Sequence, residues 1–295
     1  MGSVFQPSLN FWAGTGVTIL TQGKSTPSNA LNFNSLLLYV HGYNNNEEDA
    51  SVSYGRFEKL QNQLGGISAN VVGILWPGEN WIGALFYMKA ISQAEKVGAN
   101  LARQLHNQAK ARGYLKLDIV AHSLGNRLVL ETISALNNLL LVDPTPIVFG
   151  QLALMAAAVP VRYLTANQPL FGAINSFSSS LNLYSQSDRI LQLAFPAGQT
   201  AAGDGFFPIA LGRRFWAGAS FSVPGMRQND NSHYGHGDYW GGKGDDISQS
   251  AAKKVRDFMP HIGKLTNRMI PAMNKLSRTT GSRQILKARN VPGRH

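Results

Sequence analysis

The chain of 295 residues has no cysteine, which excludes a thiol nucleophile, a cysteine-ligated zinc site and any disulfide framework. It also lacks a long apolar run. Its most apolar stretch, IVFGQLALMAAAVPV (147–161), falls short of the ~18 residues a spanning helix needs and is interrupted by Gln151 and Pro160. A buried strand is expected there instead. The opening MGSVFQPSLNFW has neither a basic start nor a following apolar core, so it does not read as a secretory signal. Gln6 stands where a myristoylation motif after Gly2 wants Ser or Thr. The lack of a recognisable signal peptide and of a spanning helix predicts a cytoplasmic protein, whereas the missing cysteines merely permit a reduced interior. What is present is a globular composition, 44% hydrophobic, long enough to close a core without staples.

Acidic side chains are scarce, 16 against 27 basic ones, but the excess is local. Residues 251–295 hold 11 of the basic residues and one acid, Asp257, so the rest of the chain is nearly neutral. The division predicts a neutral body with no nucleic-acid role and a basic tail. That tail could meet an anionic membrane or an acidic partner.

Short apolar runs that end in Gly, Asn or Pro suit strands buried on both faces of a parallel sheet. They are LLLYV (36–40), VVGILW (71–76), LKLDIVA (115–121), LALMAAAVP (152–160) and LNLYS (181–185), with an aromatic candidate at FWAGASFSV (215–223). Helical patterns alternate with them. Ser92 and Glu95 form a capping box, predicting a helix start there. Val97, Leu101, Leu105 and Ala109 repeat every four residues, and Gly113 is placed to end that helix. NRLVLETISALNNLLL (126–141) and SQSAAKKVRDFM (248–259) are the other helices expected. The alternation predicts an α/β fold with a doubly wound, mostly parallel sheet and helices on both faces. Residues 1–33 read as a leader or edge segment, 34–260 as the domain and 261–295 as a basic tail.

The chemistry-bearing element is DIVAHSLGNRLVL (118–130), where a strand runs into Ala-His-Ser-Leu-Gly and a helix follows. In such an elbow the tight turn lifts the serine hydroxyl above the sheet, and small residues at both ends let strand and helix approach. Here those are Ala121 and Gly125, and Ser123 is the candidate nucleophile. A nucleophilic serine needs a base, and the base a carboxylate, in the chain order Ser, acid, His. Three of the seven histidines precede Ser123, while His261 and His295 lie at the end of the last helix and of the chain. His236 and His233 remain, with His236 the better placed because GDYW follows it. Asp188, just past LNLYS, has the carboxyl-rim position. Asp143 belongs to the opposite rim, and Asp204 and Asp230 have weaker loop contexts. The oxyanion amides would be those of Leu124 and Tyr43, with Gly42 admitting the backbone closely. His41 and His122 read as loop supports.

HGYNNN, WPGEN, AHSLG, YSQSDRIL and HGDYW, in this order, resemble the α/β-hydrolase superfamily, and most closely a poorly characterised bacterial serine esterase-like branch. The resemblance spans roughly residues 34–260 and departs from the usual elbow at Ala121. It implies a Ser123–His236–Asp188 triad cleaving carboxylic esters through an acyl-enzyme, without metal or organic cofactor. A small ester or lipid would be the substrate. An acyltransferase or peptidase-like enzyme with the same triad, or a non-catalytic binding protein retaining the fold, are the alternatives. Tyr43, Trp81, Phe86, Tyr87, Phe206, Phe207, Phe215 and Trp216 are candidates for an acyl pocket. FYMKA (86–90) and the segment after Pro160 are candidate cap elements.

Overall fold

A computed structural model describes residues 6–10, 24–25, 33–43, 45–65, 70–76, 84–213, 226–241 and 247–259. Their strands are β1 (Gln6–Asn10), β2 (Lys24–Ser25), β3 (Ser35–Val40), β4 (Asn70–Leu75), β5 (Leu115–His122), β6 (Ile147–Met155), β7 (Ser179–Tyr184) and β8 (Met226–Asp230). They form one sheet in the order β2-β1-β4-β3-β5-β6-β7-β8. All neighbours are parallel except β1 and β2, which run antiparallel at the edge. The LLLYV run is fully buried, and every residue of β5 is buried, as a central parallel strand requires.

The helices are α1 (Glu47–Gln63), α2 (Ala84–Arg112), α3 (Gly125–Val142), α4 (Phe171–Ile174), α5 (Phe195–Ala201) and α6 (Ala251–Phe258). Packing divides them between the two faces: α1 touches α6, whereas α2 packs on α3 and α5, and α3 on α4. Asn46 caps α1 by accepting the Asp49 amide at 2.7 Å, and Ser250 caps α6 by accepting the Lys253 amide at 3.1 Å. Gly113, at φ +79°, ends α2 in the left-handed conformation its position demanded.

Several expectations change. Ser92 does not start a helix: α2 begins at Ala84, and Glu95 instead reaches across to Arg127 at 3.2 Å. The periodic apolar face continues upstream through Ala90, Ile91 and Ala94, and this packing outweighs the local capping pattern. β6 stops at Met155 rather than Pro160, since Ala156 turns to φ +45° and leaves the sheet. In the segment after Pro160, Val161 donates its amide to the Ile209 carbonyl at 3.0 Å, and α4 packs on α3, where Asn137 donates to Ser176 at 2.9 Å. The WPGEN turn after Trp76, the 215–223 strand candidate and the tail beyond Met259 lie outside the described residues.

The chain leaves β3 to build β4 on one side, then returns through α2 to build β5 on the other. The carboxyl ends of β3 and β5 therefore flank a topological switch point, where open α/β sheets bind their ligands. Among the described residues, no helix is long and apolar enough to cross a membrane.

Candidate active site

β5 delivers Ser123 to this switch point in a left-handed backbone conformation, φ +53°. Such a conformation costs a non-glycine residue roughly 1–3 kcal/mol and must be held by its surroundings. The Ser123 amide donates to the Met155 carbonyl at 2.9 Å, and its carbonyl accepts from the Ala158 amide at 3.1 Å. Asn126, fully buried as the second residue of α3, adds its side-chain amide to the Ser123 and Met155 carbonyls at 3.0 and 3.1 Å. Close packing fixes the rest. A Cβ on Gly125 would lie 2.3 Å from the His41 carbonyl oxygen, and one on Gly42 would lie 2.6 Å from Ser123 Cβ. The small residues at 42 and 125 are thus what lets the loop after β3 close over the elbow.

The serine hydroxyl does not cap α3, which has no side-chain cap. Ser123 Oγ instead lies 2.8 Å from His236 Nε2, and His236 Nδ1 lies 2.7 Å from Asp188 Oδ2. Nδ1 donates to the carboxylate, leaving the Nε2 lone pair facing the serine proton, the tautomer a general base needs. Asp188 is fully buried, and its other oxygen accepts the Leu191 amide at 2.9 Å. His233 is exposed and packs beside Tyr234, so of the two histidines His236 is the one brought to Ser123.

His236 sits in a loop pinned at two backbone carbonyls. Ser185 Oγ donates to the Tyr234 carbonyl at 2.7 Å, and His122 Nε2–H donates to the carbonyl of His236 itself at 2.7 Å. Burial drives the His122 pKa down to about 3, with the neighbouring His236 adding to the shift, so His122 stays neutral. His41 is also neutral, lowered to about 4 by burial. Its Nδ1–H donates to the Gly42 carbonyl at 2.8 Å and its Nε2 accepts the Trp76 amide at 3.2 Å. The Tyr54 hydroxyl accepts the His41 amide at 2.7 Å and donates to the Ile74 carbonyl at 2.8 Å, tying β3 to β4 at this rim. Asn45 bridges the Gly42 and Tyr43 carbonyls at 3.4 and 3.2 Å, bracing the turn that carries Tyr43. On the other side of Ser123, the Leu124 amide precedes the first turn of α3 and has no partner among the described residues.

Asn126, Ser185 and Arg127 also support the site, beyond the residues the motifs single out. A polar Asn three residues after the elbow serine, on the buried side of a helix start, was a readable signal for the first. Arg127 is 4% exposed and gathers Glu131 at 2.6 Å, Glu95 at 3.2 Å and Asp204 at 3.4 Å. Of the pocket candidates, Phe206 and Phe207 are exposed, Tyr43 is half-buried against the core, and Trp81, Phe215, Trp216 and the side chains of Phe86 and Tyr87 lie outside the described residues. No group of residues able to hold a metal occurs among the described residues.

A serine raised on a strand-to-helix elbow, at the switch point of a mostly parallel sheet, defines an α/β-hydrolase fold. The model of a family described as "Alpha/beta hydrolase of unknown function (DUF900)" matches residues 28–199, more than half of the chain, and the protein belongs to that family. No curated protein matches it. Among solved structures, a predicted CIB-like hydrolase from Thermoplasma acidophilum is similar at 15% identity, over 76% of this chain and 86% of that one, with a TM-score of 0.40. Phospholipase PlaB from Legionella pneumophila is similar at 16% identity, over 61% of this chain but only 31% of its own length, with a TM-score of 0.26.

Proposed function

We propose that this α/β hydrolase is a serine hydrolase of carboxylic esters. The observation that carries the reading is the continuous hydrogen-bonded line from Ser123 Oγ through His236 to Asp188. His236 takes the serine proton as Oγ attacks the ester carbonyl, and Asp188 holds the imidazole in its tautomer and stabilises the imidazolium that forms. The Leu124 amide and the Tyr43 amide take the developing oxyanion, the kind of contact whose loss costs ~10²–10³ in rate. His236 then protonates the leaving alcohol. Water, deprotonated by the same imidazole, releases the acyl group from Ser123.

The reading predicts hydrolysis of a p-nitrophenyl ester with a rapid first release of about one nitrophenol per Ser123 when deacylation is slow. Ser123→Ala should abolish both the burst and the turnover. A turnover that survives Ser123→Ala would refute it. Addition of a primary alcohol that diverts the acyl group away from water would favour acyl transfer over hydrolysis.

A further inference from the structure

Immediately after Asp188 the chain forms a π-helical turn, Ile190–Ala194, that runs into α5 and then into the loop 202–213. This stretch leaves large apolar side chains in water: Ile190 at 51%, Leu193 at 67%, Phe206 at 86%, Phe207 at 58% and Ile209 at 38% exposure. The two halves of the stretch meet. The Phe207 amide donates to Thr200 Oγ1 at 2.8 Å, and Leu191, Pro196, Phe207, Pro208 and Ile209 line a groove of about 260 Å³ between them. Single exposed hydrophobics are ordinary, but several in one place mark a surface built to be covered.

The loop holding the aromatics is fastened rather than slack. Asp204 accepts the Tyr163 hydroxyl at 2.5 Å and Arg127 at 3.4 Å, while Arg162 donates to the Asp204 carbonyl. Phe207 is held at φ +43°, a conformation with a cost the anchored loop must sustain. The charge of the stretch has one sign. Residues 189–214 contain Arg189, Arg213 and Arg214 against the single acid Asp204, whose carboxylate is already engaged. Arg213 lines the apolar groove, and its buried Nε has no partner among the described residues.

We infer that this apolar rim docks the protein on an anionic phospholipid bilayer. Leu193, Phe206 and their neighbours enter the boundary between headgroups and acyl chains, and Arg213 meets a lipid phosphate at the groove. Apolar insertion beside cationic residues is the combination that binding to anionic interfaces requires. The docking holds whether or not the ester chemistry proposed above is right, and its test does not depend on turnover.

The test is co-sedimentation of the full chain with phosphatidylcholine vesicles, with and without phosphatidylglycerol. The wild type should partition onto the anionic vesicles and scarcely onto the zwitterionic ones. Leu193→Ser combined with Phe206→Ser should weaken that partition at least ~10-fold, about 1.4 kcal/mol, without lowering the melting temperature. Arg213→Gln should reduce the preference for phosphatidylglycerol. Failure of the wild type to bind overturns the inference. So does equal binding by the double variant, which would assign any membrane contact to the basic tail alone. A wild-type dimer in light scattering that the double variant dissolves would make the rim a self-interface and would also overturn it.

Discussion

At Gly42 a single added methyl group would strike the candidate nucleophile directly. A Cβ there would stand 2.6 Å from Ser123 Cβ, 3.1 Å from His122 Nδ1 and 3.2 Å from the His122 carbonyl oxygen. Ordinary carbon contacts lie at ~3.5–4.0 Å, so about 1 Å of overlap has to be relieved. Ser123 cannot yield, because its amide and carbonyl are both bonded and its backbone is already strained. The turn through Tyr43 must move instead. A displacement of ~1 Å in a positioned group costs about 10²-fold in rate, whereas overpacking costs ~1–3 kcal/mol in stability. Gly42→Ala is therefore expected to lose about 100-fold in kcat/KM on a nitrophenyl ester while still melting cooperatively, lower by ~2–4 °C per kcal/mol. Gly55→Ala is the control. It lies exposed in α1 with nothing within 4 Å of an added Cβ, and it should gain ~0.5–1 kcal/mol with unchanged activity. Wild-type kcat/KM in Gly42→Ala would refute the claim that the β3 turn is packed against the reacting serine.

His122→Phe removes the donor to the His236 carbonyl and should lower kcat by about 10–100-fold, a loss of ~1–3 kcal/mol. His122→Gln, which can still reach with an amide, should recover part of it; equal loss in both would reduce His122 to a space-filler. His236→Ala should collapse ester hydrolysis and His233→Ala should leave it intact, and the reverse pattern would move the base to His233. Stability should also fall on mild acidification, because His41 and His122 have folded pKa values of about 4 and 3, below the unfolded value near 6.5. Their contribution is complete above pH ~6.5 and shrinks below it, as the unfolded chain binds protons the native state refuses, by up to ~1.4 kcal/mol per pH unit for each. Urea denaturation midpoints that do not change between pH 6.5 and pH 5 would contradict this.

The parallel core was legible because strands buried on both faces are written as unbroken apolar runs, as in LLLYV and LKLDIVA. The elbow was legible because its backbone demands small residues at fixed offsets. β8 was not, since MRQND is half-exposed at the sheet edge and carries no apolar signal. The start of α2 was misplaced because a local capping pattern at Ser92 was overridden by packing on α3. The order Ser, Asp, His left His233 and His236 both open, because the choice depends on how the 231–237 turn folds. That fold is set by Ser185, just past β7, and His122, at the end of β5, reaching its carbonyls. Neither bond has a sequence signature, and the exposure of Leu193 and Phe206 has none either: an apolar residue reads alike for a core, a pocket such as the one Phe206 was a candidate for, or a surface.

Whether Ser123 is a nucleophile activated by His236 is read by labelling the full chain with a fluorophosphonate, followed by intact mass and peptide mapping. One adduct is expected, on Ser123, formed with the wild type, slowed strongly in His236→Ala and absent in Ser123→Ala. Labelling of Ser123→Ala to the wild-type extent, or an adduct mapped to another residue, would contradict it.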